Sequence, residues 1–363
     1  MKICLYSPYV PKHIGGGEKY FFDVAKSFVE MGHDVFVGVT HDLDEKLIRQ
    51  KYEQFLNYSL EGVKFISTPL NTPASFWQKL LWTKQWDVLY YATDGSLFFS
   101  LAKRNILHIQ IPFSDPKSSF VDRLKLMNWS VKNTNSGFTK QAIEKYWHTK
   151  VDFVHYPMIN PPAVSADLLA KKEKIILHVG RFFRQLHSKR QDVLVDIFKK
   201  LLKAHPKETK EWQLVLVGSV EDFSYANEVK KAAAGFPIKI VEVSHKQLWE
   251  YYQRASIYWH ATGFGLDEAQ EPAKMEHFGI STVEAMSMGC VPIVIGQGGQ
   301  VEVVGPILKE LLWKTEEECL KITLRMITDP KLRQEKAELA RRRAQRFDQH
   351  QFRQTLAKMI STN

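Results

Sequence analysis

Glu276 and Glu284 stand eight positions apart, with Phe278-Gly279-Ile280 and the start of an apolar run between them. On one helix, eight positions are a little over two turns, so both carboxylates would share a face about 12 Å apart. Two carboxylates acting on a single glycosidic bond need roughly 5–9.5 Å. The wider spacing suits two grips on different parts of one long, hydroxyl-rich ligand, and a nucleotide sugar fits that description. Backbone N–H groups around Phe278, Gly279 and Ile280 would open a helix and bind oxygens. The plain alternative is a Glu276 that caps its own helix and a surface Glu284. Ile280, Val283, Ala285 and Met286 argue against simple exposure of Glu284.

Cations come next. Gly180-Arg181-Phe182-Phe183 follows an apolar strand pattern, and Lys189 comes eight residues after Arg181. Arginine clamps phosphate bidentately and lysine acts as a point charge. Two cations at one strand end would neutralise a departing diphosphate; solvated surface charge is the alternative. Gly15-Gly16-Gly17-Glu18 sits between a strand and a helix, where backbone can approach an anion closely. It lacks the Gly-x-Gly-x-x-Gly spacing, and a flexible turn is its plain reading. His108 lies near the end of a strand that Pro112 terminates, as either a satisfied core histidine or a residue facing a cleft. Gly296-Gln297-Gly298-Gly299-Gln300 is a further glycine loop after a strand, weak by itself. Asp267-Glu268-Ala269-Gln270-Glu271 lacks metal-ligand spacing and reads as a solvated loop.

These residues need elements to position them. Strand patterns at Ile3–Ser7, Val35–Val39, Val63–Ser67, Asp87–Tyr91, Ile106–Ile109 and Asp152–Tyr156 alternate with helical ones such as Lys19–Glu30. Alternation of this kind predicts a parallel sheet with helices on both faces. Three prolines at Pro157, Pro161 and Pro162 break it. It restarts with strands at Ile175–Val179, Gln213–Val217, Ile238–Val243, Ile257–His260 and Val291–Ile295. Helices are expected over Asp192–Ala204, Ala226–Ala234, Glu316–Arg325 and Leu332–Phe347. The fold class is therefore α/β, with two tandem doubly wound Rossmann-like domains expected to face a cleft. The expected domains are 1–160, 161–340 and a closing helix over 341–363 that packs back toward the first.

The bulk numbers agree with an ordinary globular protein: 363 residues, 44% apolar and 25% charged. No run reaches the ~20 apolar residues that span a bilayer, and Met1–Pro8 lacks a signal-peptide layout. Cys4, Cys290 and Cys319 are too few and scattered for a disulfide framework or zinc site, which suits a cytoplasmic location. The net charge of +10 favours anionic partners. Without zinc-finger spacing or an aromatic-basic RNA motif, nucleic acid is the weakest of them. Ser75–Trp86 mixes three tryptophans with two lysines. It is a candidate for peripheral contact with an anionic membrane; a helix packing its Trp/Leu face on the sheet is the favoured alternative.

In this order the motifs resemble the retaining GT-B glycosyltransferases of the large group-one family, in the glycogen-synthase-like clan. The resemblance covers nearly the whole chain and is strongest over Ile175–Val304. It rests most on Gly180–Phe183 with Ser188–Gln191, and on Tyr258–Ala261 through Gly289–Pro292. It implies a first domain that binds an acceptor and a second that binds a nucleotide diphosphate sugar. Glu284 is implied to bind the ribose and Glu276 to stand beside the donor sugar. Arg181 and Lys189 are implied as the diphosphate clamp, although their spacing is longer than in many members. His108 is implied to approach the transferred sugar, and Gly16 and Gly17 to border the diphosphate and acceptor. No metal or cofactor is expected. The implied reaction is retaining sugar transfer to a glycan or lipid-linked acceptor, by front-face attack. The Glu276–Ile280 context resembles mannosyltransferases and favours GDP-mannose, with UDP sugars open. An epimerase, a sugar phosphorylase and a non-catalytic sugar binder remain alternatives on the same fold.

Overall fold

A computed structural model describes residues 1–12, 14–39, 44–163, 165, 171–185 and 188–361. The chain forms two compact units. One comprises Met1–Met158 with the segment from Gln349 onward, and the other Ile159–Asp348.

The first unit is built on a seven-stranded parallel sheet. Its strands are β1 (Lys2–Tyr6), β2 (Asp34–Val39), β3 (Val63–Ser67), β4 (Val88–Thr93), β5 (Arg104–Ile109), β6 (Val131–Thr134) and β7 (Phe153–Val154). They lie in the order β3-β2-β1-β4-β5-β6-β7, so the chain reverses direction beside β1. A central parallel strand is buried on both faces and needs apolar residues throughout. In β1, Ile3 and Leu5 join one core while Cys4 and Tyr6 join the other. Five helices connect the strands: α1 (Gly16–Glu30), α2 (Glu45–Leu56), α3 (Phe76–Thr83), α4 (Phe120–Asn128) and α5 (Gly137–Trp147). In α1, Tyr20, Phe21, Val24 and Phe28 are buried at helical spacing. Each such side chain contributes about 1.5–3 kcal/mol by leaving water.

The second unit repeats the plan with six parallel strands in the order β10-β9-β8-β11-β12-β13. These are β8 (Glu173–Val179), β9 (Gln213–Val217), β10 (Ile238–Val241), β11 (Ala255–His260), β12 (Val291–Ile295) and β13 (Leu312–Trp313). Its helices are α6 (Gln191–Ala204), α7 (Phe223–Ala233), α8 (His245–Arg254), α9 (Ile280–Ser287), α10 (Gly299–Val304), α11 (Glu316–Thr328) and α12 (Pro330–Ala344). The last helix, α13 (Gln349–Ser361), belongs to the first unit, where Phe352, Leu356 and Met359 enter the core beside α1.

The strand expectations hold with small shifts in their ends. The elements that the sequence reading does not name include α2, α4, α5 and β13, as well as β6, whose Val-Lys-Asn-Thr carries one apolar side chain, and α8, whose residues are mostly polar. The favoured packing of Ser75–Trp86 holds for only part of that segment. Trp86 is buried and Trp82 packs on the core, but Phe76, Trp77 and Leu81 are exposed.

Candidate functional site

The site in the second unit is built at the carboxyl ends of β8 and β11, where open α/β sheets bind ligands. After β8, the Gly180 N–H donates to the Val217 carbonyl at 2.9 Å. Gln191, buried at the start of α6, donates from Nε2 to the carbonyls of Gly180 (3.0 Å) and Arg181 (3.1 Å). These bonds tie the start of α6 to the residues that follow β8. Lys189 Nζ donates to Glu276 Oε2 at 2.5 Å. His260, the last residue of β11, reaches the same oxygen from Nε2 at 2.9 Å. The Thr262 N–H points to His260 Nδ1 at 3.4 Å, which leaves the imidazole proton on Nε2. Burial holds the His260 pKa below its ordinary value, so His260 donates as a neutral ring. Burial alone would raise the Glu276 carboxyl. The Lys189 charge and the His260 hydrogen bond outweigh that and hold it well below the carboxylate range. A lysine cation, a carboxylate and a neutral imidazole therefore meet at one oxygen, with Lys189 only 16% and Glu276 14% exposed.

Glu276 and Glu284 do not share a helix, and this corrects the geometry expected from their spacing. Gly279 takes φ +108°, outside the right-handed helical region, so α9 begins at Ile280 and Glu276 lies in the segment before it. The N-cap position is Gly279, which has no side chain to cap α9, and the Glu276 bonds seen run from Oε2 to Lys189 and His260. The helix start thus keeps backbone N–H groups directed at whatever lies beyond it. Gly279 is required twice over, because a Cβ there would also stand 2.6 Å from Gln300 Nε2. Gln300 is fully buried and its side-chain amide has no hydrogen-bond partner among the described residues. The Gly299 N–H donates to the Glu276 carbonyl at 2.7 Å, which ties the glycine loop after β12 to this segment. Glu268, in the acidic loop, accepts from the Gly298 N–H at 2.7 Å and so serves the same loop.

Glu284 is buried inside α9, where it accepts from Tyr252 OH at 3.0 Å. The Phe278 ring is a core side chain packed edge-on against Phe347, with centroids 5.2 Å apart, so only its backbone is available to a ligand. Ile280 is the first residue of α9. Arg181 stands at the same strand end as Lys189 but pairs with a different carboxylate, Glu221, at 2.9 Å. It is 38% exposed.

In the first unit, Gly16 and Gly17 open α1 behind Gly15 at the N-cap. His108 takes the core alternative of its two sequence readings. It is fully buried, stacked 4.2 Å from the Tyr20 ring, and hydrogen-bonded from Nδ1 to Asn133 Oδ1 at 2.5 Å. Burial brings its pKa down to about 3. The polar side chain at the end of β5 is instead Gln110, partly exposed, whose Oε1 would stand 2.7 Å from a Cβ on Gly17. The sequence reading gave no role to Gln110, Gln191 or His260. The strand-end position of His260 and the parity of Gln110 with His108 were the signals available.

Residues 163–343 match the family described as glycosyl transferases group 1. A curated relative is the GDP-Man:Man(3)GlcNAc(2)-PP-Dol alpha-1,2-mannosyltransferase of Neurospora crassa. It is 26% identical over a stretch covering 46% of this chain and 33% of that protein. The match thus spans about a third of the relative's length. Among solved structures, a glycosyltransferase from Rickettsia africae has a TM-score of 0.73 at 16% identity, covering 100% of this chain and 99% of that one. Anabaena HepE, solved in complex with UDP-glucose, has a TM-score of 0.69 at 18% identity, with both chains covered in full (100%). Both structures share the fold of two parallel sheets seen here. The chain belongs to the group 1 glycosyl transferases, with the GT-B architecture of two Rossmann-like units.

Proposed function

We propose that the protein transfers a sugar from a nucleoside diphosphate sugar to a hydroxyl of a glycan or lipid-linked acceptor, with retention of anomeric configuration. The observation that carries this reading is the meeting of Lys189, His260 and Glu276 beside the start of α9. An ionised carboxylate there accepts hydrogen bonds from sugar hydroxyls, while the helix N–H groups and Lys189 take phosphate oxygens. Glu284 holds the ribose, one helix turn further in. The bond from the anomeric carbon to the phosphate oxygen breaks, and its electron pair leaves with the diphosphate. The acceptor oxygen bonds to the same face of the sugar and its proton passes to the leaving phosphate. Lys189 and Arg181 stabilise the charge that develops, and no metal is assigned to the step. To do so, each cation exchanges its present carboxylate for phosphate. The first unit, around Gly16, Gly17 and Gln110, is assigned to the acceptor.

GDP-mannose is the favoured donor, supported by the name of the Neurospora relative. A thermal-shift panel of GDP-mannose, UDP-glucose and UDP-N-acetylglucosamine identifies the donor, because a ligand of the folded state raises the melting temperature. With that donor, Arg181→Ala/Lys189→Ala is expected to lower turnover by about 10²–10³, and chelator is expected to leave wild-type turnover unchanged. NMR of the product reads the anomeric configuration. Unchanged transfer by the double variant removes the clamp, and an inverted product removes the front-face mechanism.

A further inference from the structure

The helices α3 and α4 each carry a second apolar face that the core does not use. On their inner sides, Thr83, Leu126 and Trp129 are buried. On their outer sides, α3 exposes Phe76, Trp77 and Leu81, and α4 exposes Phe120, Val121, Leu124 and Met127. The spacing is helical: Trp77 and Leu81 lie four apart, and Phe120, Leu124 and Met127 follow at four and three. Trp77 is 67%, Phe120 76% and Met127 77% exposed. Large apolar side chains held in water at these levels need a reason, and seven on these two helices form a patch rather than scatter.

One segment joins the helices. The Phe99 ring meets Phe76 edge-on at 6.4 Å. The Leu101 N–H donates to Thr83 Oγ1 at 2.8 Å, beside α3. The Ser100 N–H donates to Asn128 Oδ1 at 2.7 Å, at the end of α4. Leu101 itself is exposed. The two stripes therefore belong to one surface, continued through residues 99–101.

The charge beside that surface has one sign in excess. On α3 and α4 and at their ends, four cations (Lys79, Lys84, Arg123 and Lys125) stand against one carboxylate, Asp122. None of the four cations forms an ion pair among the described residues. Apolar side chains flanked by unpaired cations are the composition of helices that lie in the headgroup layer of an anionic bilayer. A second copy of the chain would bring the same cations face to face, which opposes self-association through this surface. No helix among the described residues is long and apolar enough to cross a membrane, so the contact is with one leaflet.

We propose that α3, α4 and residues 99–101 form a docking face for an anionic lipid bilayer, with Trp77, Leu81, Phe120 and Met127 entering the acyl boundary. This does not rest on the sugar-transfer reading, and its test contains no nucleotide sugar. The full chain is floated with vesicles of phosphatidylcholine alone and with about a third phosphatidylglycerol, at low and at physiological salt. Wild type is expected to float with the anionic vesicles and to blue-shift its tryptophan emission. Trp77→Ser/Leu81→Ser and Phe120→Ser/Met127→Ser are each expected to weaken binding about tenfold or more. Both act on exposed side chains and are expected to keep the wild-type circular dichroism. Arg123→Glu/Lys125→Glu is expected to abolish the preference for anionic vesicles. Absence of flotation at low salt overturns the proposal, as does flotation unchanged in both serine variants. Sedimentation that shows a wild-type dimer dissociated by Phe120→Ser/Met127→Ser also overturns it, by assigning the face to a second copy.

Discussion

At the scale of single residues, the site turns on which polar atoms are satisfied from within the protein. Glu276 has a cation and a neutral donor on one oxygen, and its low pKa follows from those two neighbours against the opposing effect of burial. Lys189 is bound to a carboxylate that a phosphate can replace, whereas His260 is fixed from both sides and serves as a holder. The same distinction separates His108 from Gln110. His108 is inside an aromatic stack and cannot meet a ligand without opening the core. Gln110 stands at the strand end beside Gly17. His108→Ala is therefore expected to cost about 3 kcal/mol of stability, as truncation of a buried ring does. Gln110→Ala is expected to change stability by about 0.5 kcal/mol or less, typical of a site outside the core, and to lower transfer roughly tenfold. Urea unfolding and initial rates on the two variants separate the roles. A stable but inactive His108→Ala would reverse the assignment.

At the scale of elements, pattern and chemistry were legible to different degrees. Strands such as β4, β9 and β12 announce themselves because parallel strands covered on both faces need near-continuous apolar runs. β6 does not, because its register is set by pairing with β5 and β7 while Asn133 is spent on His108. The motif at Glu276–Ala285 was legible as a ligand grip, and its helix start around Gly279 was legible too. Spacing by itself does not separate one helix carrying both glutamates from a helix that begins at Ile280; the positive φ of Gly279 does. Strand ends also collect buried histidines, and these have a consequence for acid stability. Burial lowers His108, His155 and His178 to about 3. The unfolded chain takes up these protons near pH 6.5. Between about pH 6.5 and 3 the unfolded state binds more protons, so stability rises with pH across that window and falls as it is acidified. Each histidine contributes up to about 1.4 kcal/mol per pH unit. Glu276, whose pKa is lowered, adds its own loss only below the ordinary carboxylate range. Urea midpoints at pH 7, 6 and 5 are expected to fall steadily, with a shallower slope in His155→Gln. A midpoint flat from pH 7 to 5 would remove the histidines from the acid response.

At the scale of the whole chain, the sequence order and the packing order differ at the end. The second unit's own chain finishes at Asp348, and the residues that follow return to the first. Phe352, Leu356 and Met359 fill the face of the first sheet that α1 also covers. The return is held by polar bonds as well as by burial. His155 Nε2 donates to the Phe352 carbonyl at 3.0 Å, and His155 Nδ1 accepts from Tyr20 OH at 2.5 Å. Arg104 Nε donates to the Met359 carbonyl at 2.6 Å. A helix some two hundred residues away in sequence therefore completes the core that also holds His108 and the Gly16–Gly17 turn on α1. The sequence reading expected a closing helix over 341–363 directed to the first domain; the contacts that seat α13 beside Tyr20 lie in side-chain shape and not in composition. Phe352→Ala is expected to destabilise the first unit by about 3–5 kcal/mol, through lost burial and the cavity left against Tyr20 and His155. Limited proteolysis followed by mass spectrometry reads the outcome by location. Cleavage is expected to accelerate within Met1–Met158 and to leave Ile159–Asp348 at its wild-type rate. Acceleration confined to Ile159–Asp348 would place the last helix in the wrong unit.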